Sequence, residues 1–377
     1  MRRLERVKHA VGKLGDDQVW LKVTGQPDGP LYLTWGNRKG PYDLTYQIEP
    51  TMLARAACQI RTALQPLIPW SVLRDRTTLP QILNNIEEAG ANLRSVLFKP
   101  HDRRDGDDVR RLTRWIDQQR AGGDSELSVI APNDVHVPWG LAFDDSANVA
   151  PPGSRFWCEK FQFSVVLSGC EARELYDPRP RDSFRLVSLL NRELYNEAES
   201  DLGTDNFHEL ETILQGPCEK VFTYDACLRT ALQVPNSDKI FYFYGHGEKE
   251  HLVLGNGEKI DMFRFERLVE KLTAGDFRED TIPYTLIFLN ACDSACGDAD
   301  FSFQSVATQP GVCGIILTEA YVPRKFAIDF ARRVLLAFIR NGVPVGDAVR
   351  SAANNVWPLG LVYSCYANPN FRLATEQ

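Results

Sequence analysis

The second half of the chain alternates between long apolar segments and amphipathic ones, and this alternation restricts the fold more than any other feature. The segments "KIFYFYG" (239–245), "YTLIFLNAC" (284–292) and "GVCGIILTEA" (311–320) each contain at most one charged side chain. Strands that are apolar at every position are buried on both faces, which requires helices on both sides of the sheet. The sequence therefore predicts an α/β fold with a central, mostly parallel sheet flanked by helices.

The first part of the chain has a different pattern. Residues 1–50 contain short β segments, "QVWLKV" and "PLYLTWG", separated by Gly, Pro and Asp, which is typical of a meander. Residues 51–97 space their apolar side chains as helices do. The polar stretch 99–126 predicts one amphipathic helix between flexible ends. The acid pair Asp144 and Asp145 is expected on a solvated loop.

These patterns predict where the chain divides. We expect an N-terminal α+β region over 1–126, to which the sequence assigns no role, and a second domain over 127–377. The segment "YDPRPRDS" (176–183) is rich in Pro and charge, so we expect a linker there. The regular α/β alternation occupies 185–377.

Composition excludes several classes of protein. The formal net charge is −7, which argues against nucleic-acid binding through bulk electrostatics. Apolar runs stay well short of the ~20 residues that cross a bilayer, and the N-terminus is charged without an apolar segment. We therefore predict a cytoplasmic protein without membrane partners. The nine cysteines form no CxxC pairs, which argues against a disulfide framework.

Two of the predicted strands end in reactive side chains. One ends at Gly245-His246-Gly247, and the other ends at Cys292. Ligands bind at the carboxyl ends of strands in open α/β sheets, so His246 and Cys292 would lie side by side if their strands are neighbours. An imidazole can generate a thiolate nucleophile. The backbone N–H groups of Gly247 and Cys292 are then candidates for an oxyanion hole.

The segment 185–373 resembles the CHAT family of caspase-like cysteine peptidases, relatives of caspases, separase and gingipains. The spacing of 46 residues between His246 and Cys292 is close to the caspase spacing of about 50. Upstream, "LSVIAPNDVHVPWGLAFDD" (127–145) is similar to a "PWE" segment of the family, with Gly140 in place of the Glu. The motifs that carry the resemblance are "YFYGHG" (242–247), "LNACDSA" (289–295), "GVCGIILTEAYVP" (311–323), "FAIDFARRVLLAFIRNGVPVGDAV" (326–349) and the tail "VYSCYANPNFRL" (362–373).

The resemblance implies a caspase-like sandwich fold and a cysteine endopeptidase that acts on protein substrates without metal or organic cofactor. It makes His246 the general base and acid, Cys292 the nucleophile and Gly247 a residue of the oxyanion hole. It places Asn290 beside the substrate pocket. It also implies a regulated enzyme, either a zymogen or ligand-gated, in a bacterial defence or cell-death pathway such as antiviral defence. We hypothesise that cleavage within 101–125, by the enzyme itself or by an upstream peptidase, activates it.

Substrate preference and two alternatives stay open. An acidic pocket would favour cleavage after Arg or Lys. The alternative is that all the candidate acids belong to solvated loops. A zinc site of His246, His251, Cys292 and Cys296 is disfavoured, because Cys-x3-Cys matches no usual zinc signature. The alternative function is a non-catalytic caspase-like interaction module. The candidate pocket acids are Asp293, Asp298, Asp300 and Glu319.

Overall fold

The computed structural model divides the chain into two compact units. One comprises residues 1–63 and 75–174, and the other comprises residues 64–74 and 175–377. The structure describes residues 19–25, 29–37, 43–68, 75, 77–102, 105–118, 126–132, 135–144, 155–167, 184–215, 219–233, 237–248, 250–273, 284–292, 294–295 and 302–373. The predicted linker 176–183 lies outside these residues.

Within its described residues, the first unit is built on a five-stranded sheet of order β3-β2-β1-β4-β5. Strands β1 to β3 form the predicted antiparallel meander, whereas β4 and β5 run parallel to β1. The strands are β1 (Val19–Gly25), β2 (Leu31–Asn37), β3 (Asp43–Ile48), β4 (Glu126–Ala131) and β5 (Gln162–Leu167). The helices are α1 (Pro50–Leu64), α2 (Thr78–Leu97), α3 (Gly106–Gln118) and the single turn α4 (Trp157–Lys160).

The division of the chain differs from the predicted boundary at residue 126. Strand β4 starts at that boundary, but it pairs with β1 at the N-terminus, with Leu21 opposite Val129. The first unit therefore continues to residue 174. A parallel pairing between strands about a hundred residues apart leaves no local signal, because neither strand's own pattern identifies its partner.

Asp144 is buried rather than solvated, which corrects the expectation from the sequence. Its side chain is 5% exposed, and its carboxylate pairs with Arg94 Nε at 2.6 Å and with Lys160. Lys160 Nζ also donates to the carbonyl of Ile116 in α3 at 3.3 Å. Two cations thus compensate the buried Asp144 carboxylate, and the Ile116 carbonyl replaces part of the water that the buried Lys160 ammonium loses. Asp145 lies outside the described residues.

The second unit contains the predicted mostly parallel sheet. Over the described residues its order is β14-β13-β12-β8-β6-β7, and only β14 is antiparallel to its neighbour. These strands are β6 (Arg185–Leu190), β7 (Glu219–Val221), β8 (Lys239–Tyr244), β12 (Thr285–Asn290), β13 (Val312–Thr318) and β14 (Tyr363–Ala367). A small second sheet joins β9 (His246–Glu248), β10 (His251–Val253) and β11 (Lys259–Asp261).

Helices accompany this sheet, as the alternating sequence pattern predicts. Helix α10 (Arg324–Leu335) continues into a π-helical turn at Leu336–Arg340. The helices are α5 (Arg192–Asn196), α6 (Ala198–Leu202), α7 (Thr204–Leu214), α8 (Tyr224–Gln233), α9 (Met262–Thr273), α10 (Arg324–Leu335) and α11 (Val345–Asn355).

The central strands are buried along their whole length, and aromatic side chains on both faces explain why. Phe241 of β8 packs against Phe265 of α9 on one face, with ring centroids 6.0 Å apart. On the other face Phe288 of β12 packs edge-to-face against Phe330 of α10, which stacks on Tyr363. Such rings contribute the largest apolar areas to a core.

Local side-chain and backbone hydrogen bonds define the β10–β11 hairpin and the start of α9. Asp261 caps α9, since its Oδ1 accepts the N–H of Arg264 at 2.8 Å. In the hairpin loop, Leu254 N–H donates to Glu258 O at 2.9 Å. Gly257 has a positive φ (75°), and its N–H donates to Leu254 O at 2.9 Å. This is a three-residue loop with glycine in the left-handed position.

We predict that Phe288→Ala lowers the free energy of unfolding of the second unit by about 3–5 kcal/mol, because it removes a fully buried ring from the face between β12 and α10. Phe263→Ala is the matched control, since that ring is 74% exposed, and we expect a change within about 0.5 kcal/mol. Urea denaturation of both variants checks this. Equal effects of the two changes would contradict the described packing.

Candidate active site

The strands that carry His246 and Cys292 are direct neighbours. β8 and β12 pair in parallel, with Tyr244 opposite Asn290. Each reactive residue follows two positions later, so both leave the sheet at the same edge, as expected from the sequence. The His246 side chain is exposed, and the Cys292 side chain is partly exposed. Solvent and a substrate can therefore reach both groups.

Gly247 lies directly against the backbone of Cys292. A Cβ atom at position 247 would lie 1.9 Å from the carbonyl oxygen of Cys292 and 2.9 Å from its nitrogen. Only glycine allows the two backbones to approach this closely. The contact brings together the two residues whose N–H groups were assigned to an oxyanion hole, although that role stays a prediction.

The second sheet fixes the segment that carries the histidine. The sequence suggested a Gly-His-Gly turn, but His246 is the first residue of β9 and pairs with Val253 of β10. β10 in turn pairs with β11, and Gly255 of their loop closely approaches Asn191 Oδ1 after β6. The imidazole is thus attached to a hydrogen-bonded strand rather than to a free loop.

The sulfur of Cys292 contacts a backbone group that sequence reasoning missed. Val322 N–H donates to Sγ across 3.4 Å, and Sγ lies 3.8 Å from the carbonyl oxygen of Val322. Val322 belongs to the segment 319–323 between β13 and α10. No residue type could have indicated this contact, because every residue except proline carries a backbone N–H.

Asn290 is buried and its amide is occupied by the protein. Its Nδ2 donates to Tyr242 Oη (3.2 Å) and to Ala327 O (2.9 Å), and its Oδ1 accepts from Tyr363 Oη at 2.6 Å. Burial raises the pKa of both tyrosines, so they remain neutral hydroxyls. These contacts fix the end of β12, and the position of Asn290 beside a substrate pocket stays a prediction.

The chain just beyond Cys292 is fixed by a second pair of polar side chains. Ser294 Oγ accepts the N–H of Thr318 at 2.9 Å, and Ala295 N–H donates to Thr318 O at 2.9 Å. The Thr318 hydroxyl donates to the carbonyl of Ala291. These bonds connect the residues on both sides of Cys292 to the end of β13. Ser294 and Thr318 were not recognised from the sequence.

Of the four candidate pocket acids, the structure describes one. Glu319 is fully buried, accepts from Tyr366 Oη at 2.9 Å and donates its N–H to Val362 O. It therefore does not belong to a solvated loop. Asp293, Asp298 and Asp300 lie outside the described residues, as does Cys296. Within the part of the chain that the structure describes, no three His, Cys, Asp or Glu residues are grouped to hold a metal ion.

Other cysteines differ from Cys292 in their surroundings. Burial raises the pKa of the Cys158 thiol and raises that of Cys365 to about 12, which keeps both thiols protonated near neutral pH. Cys227 and Cys313 are buried, and Cys58 is exposed on α1. Cys158, Cys292 and Cys365 are all partly exposed. Among the described cysteines, Cys292 is the one that follows a strand paired with β8, beyond which His246 lies.

Comparison with known proteins places the chain in a family. Residues 91–366 match the CHAT domain. The chain belongs to the CHAT domain family. It is also 31% identical over 150 residues to a probable protease of Vitiosangium sp., across 36% of this chain and 19% of that protein. The CHAT match starts within α2 of the first unit, well before the α/β alternation.

Solved structures confirm the caspase-like α/β fold. A chain of the Saccharomyces cerevisiae separase–securin complex matches 98% of this CHAT protein with a TM-score of 0.54 and 14% identity. A second structure of that complex matches 99% of this chain with a TM-score of 0.54 and 12% identity. This protein spans only 31–32% of the separase-complex chains. In the described residues, every helix is too short or too polar to cross a membrane.

We predict that Gly247→Ala slows alkylation of Cys292 and destabilises the second unit by about 1–3 kcal/mol, because the new Cβ would collide with the Cys292 carbonyl. Iodoacetamide labelling followed by peptide mass spectrometry measures the first effect, and thermal unfolding measures the second. Gly106→Ala is the control, since nothing lies within 4 Å of a Cβ at that position. A Gly247 variant that matches this control would refute the close contact.

Proposed function

We propose that this CHAT protein is a cysteine endopeptidase whose catalytic dyad is His246 and Cys292. The observation that carries the proposal is the in-register pairing of β8 with β12, which brings both residues to one edge of the sheet. The contact between Gly247 and the Cys292 backbone adds support, because it joins the two segments next to the reactive groups. Membership of the CHAT family and the probable-protease relative agree with the same chemistry.

The mechanism follows from the roles of these groups. His246 takes the proton of the Cys292 thiol, and the thiolate attacks the peptide carbonyl. The N–H groups of Gly247 and Cys292 stabilise the negative charge on the carbonyl oxygen. His246 then gives its proton to the leaving amine, which produces the acyl-enzyme. His246 next removes a proton from water, and the water oxygen attacks the thioester. The C–S bond breaks to release the acid product, and His246 returns the proton to the sulfur, which restores the thiol.

We further propose that the enzyme cleaves after basic residues. A carboxylate near the dyad would pair with the Arg or Lys side chain of a substrate. Glu319 is the weakest of the candidates, because Tyr366 already donates to its carboxylate inside the core. Asp293, Asp298 and Asp300 lie one, six and eight residues after the nucleophile and are therefore the preferred candidates.

Regulation by proteolysis, in a bacterial defence pathway, is part of the same proposal and rests on the family resemblance. The structure narrows where activating cleavage within 101–125 can occur. Residues 106–118 form α3, with Val109, Leu112 and Ile116 buried, and a peptidase cannot bind a helix without unfolding it. We therefore expect activating cleavage within 101–125 to fall outside α3.

The decisive experiment incubates the protein with a peptide library and maps the new termini. We predict cleavage after Arg or Lys, loss of activity in Cys292→Ala, and a fall of about 10²–10⁴-fold in His246→Ala, because a general base contributes that much. Cys58→Ala and His208→Ala are matched controls on exposed residues of α1 and α7, and they should retain activity.

Two outcomes would contradict these statements separately. Cleavage that persists in Cys292→Ala would exclude Cys292 as the nucleophile. The intact mass shows whether a protein sample is uncleaved within 101–125. Full activity of such an uncleaved sample would refute activation by cleavage there, but it would not contradict the assignment of the dyad.

A further inference from the structure

The contact between Val322 and the Cys292 sulfur has a chemical consequence. The N–H of Val322 lies 3.4 Å from Sγ, whereas its carbonyl oxygen lies 3.8 Å away, near the limit for contacts to sulfur. A backbone N–H that donates to sulfur favours the thiolate, since bonds to charged groups are the stronger ones. The carbonyl favours the protonated thiol, but it is farther away. The balance therefore favours the thiolate.

We infer that the backbone N–H of Val322 is a further catalytic group, which stabilises the Cys292 thiolate independently of His246. The inference rests on the proposed role of Cys292 as the nucleophile, and it adds a second source of thiolate stabilisation. A peptide dipole suits this role because it is fixed by the fold and does not titrate.

The segment 319–323 is attached at both ends, which holds Val322 in place. At its start, buried Glu319 donates its N–H to Val362 O at 2.7 Å. At its end, Arg324 binds Asp201 through two nitrogens, with Nε at 2.6 Å and a terminal nitrogen at 3.1 Å, and it also pairs with Glu197. The segment thus connects the core of the second unit with α6.

Arg324 has an unusual position for a cation. It is the first residue of α10, where the helix dipole disfavours positive charge. The bidentate contact with Asp201, whose side chain is only 12% exposed, compensates for that position. Arg324 is therefore a positioning residue, which acts on the sulfur through Val322.

The test measures how fast iodoacetamide alkylates Cys292 at each pH, with mass spectrometry to identify the labelled cysteine. Val322→Pro removes the N–H, whereas Val322→Ala keeps it. We expect the midpoint of the pH–rate profile to lie about one pH unit higher in the proline variant than in the alanine variant, which means about tenfold less thiolate below the midpoint. The same difference should persist when both changes are made in His246→Ala.

Arg324→Gln tests the attachment, with Arg333→Gln as the matched control. Both arginines lie on α10 with similar exposure, 41% and 36%, but Arg333 pairs with Asp329 of its own helix. We expect a higher alkylation midpoint in Arg324→Gln than in Arg333→Gln. If circular dichroism shows that Val322→Pro does not fold, the comparison of Arg324→Gln with Arg333→Gln decides whether the inference holds.

Equal midpoints in the two Val322 variants, or in the two arginine variants, would overturn the inference. Alkylation needs no peptide substrate, so the two proposals fail separately. Shifted midpoints in a protein that cleaves no peptide would contradict the endopeptidase function alone. Peptide cleavage with unshifted midpoints would contradict only the role of Val322.

Discussion

The parallel pairing of β8 with β12 is the constraint on which the rest of the site depends. Tyr244 lies opposite Asn290, and the chain needs two more residues on each strand to reach the reactive groups. Because side chains alternate between the faces of a sheet, a slip of one residue would turn one group to the opposite face. Every residue of both strands is buried, so burial alone does not distinguish registers; the hydrogen bond from Asn290 of β12 to Tyr242 of β8 favours the observed one.

Buried polar contacts then convert the register into a defined geometry at the sheet edge. The Asn290 amide connects β12 to Tyr242 of β8 and to Tyr363 of β14. Ser294 and Thr318 hold the chain beyond Cys292. Each of these groups is buried and hydrogen-bonded, so a shift of the strand end would leave donors or acceptors unpaired at a cost of about 1–3 kcal/mol each. The reactive thiol is therefore placed by rigid elements.

The central sheet and the two dyad candidates could be predicted from the sequence, because both leave local signals in it. Continuous apolar runs identify buried strands, and His246 and Cys292 each end one. Contacts that depend on tertiary structure left no such signal. The Val322 backbone, the burial of Asp144 and the pairing of β4 with β1 all join segments that are distant in the chain.

The most direct test of the account is site-specific labelling with a peptidyl acyloxymethyl ketone, which requires attack by a positioned thiolate. The account predicts that Cys292 is labelled faster than any other of the nine cysteines, and that His246→Ala slows this labelling while the other sites are unaffected. Labelling that simply follows exposure, with Cys58 reacting as fast as Cys292, would contradict the assignment of Cys292 as an activated nucleophile.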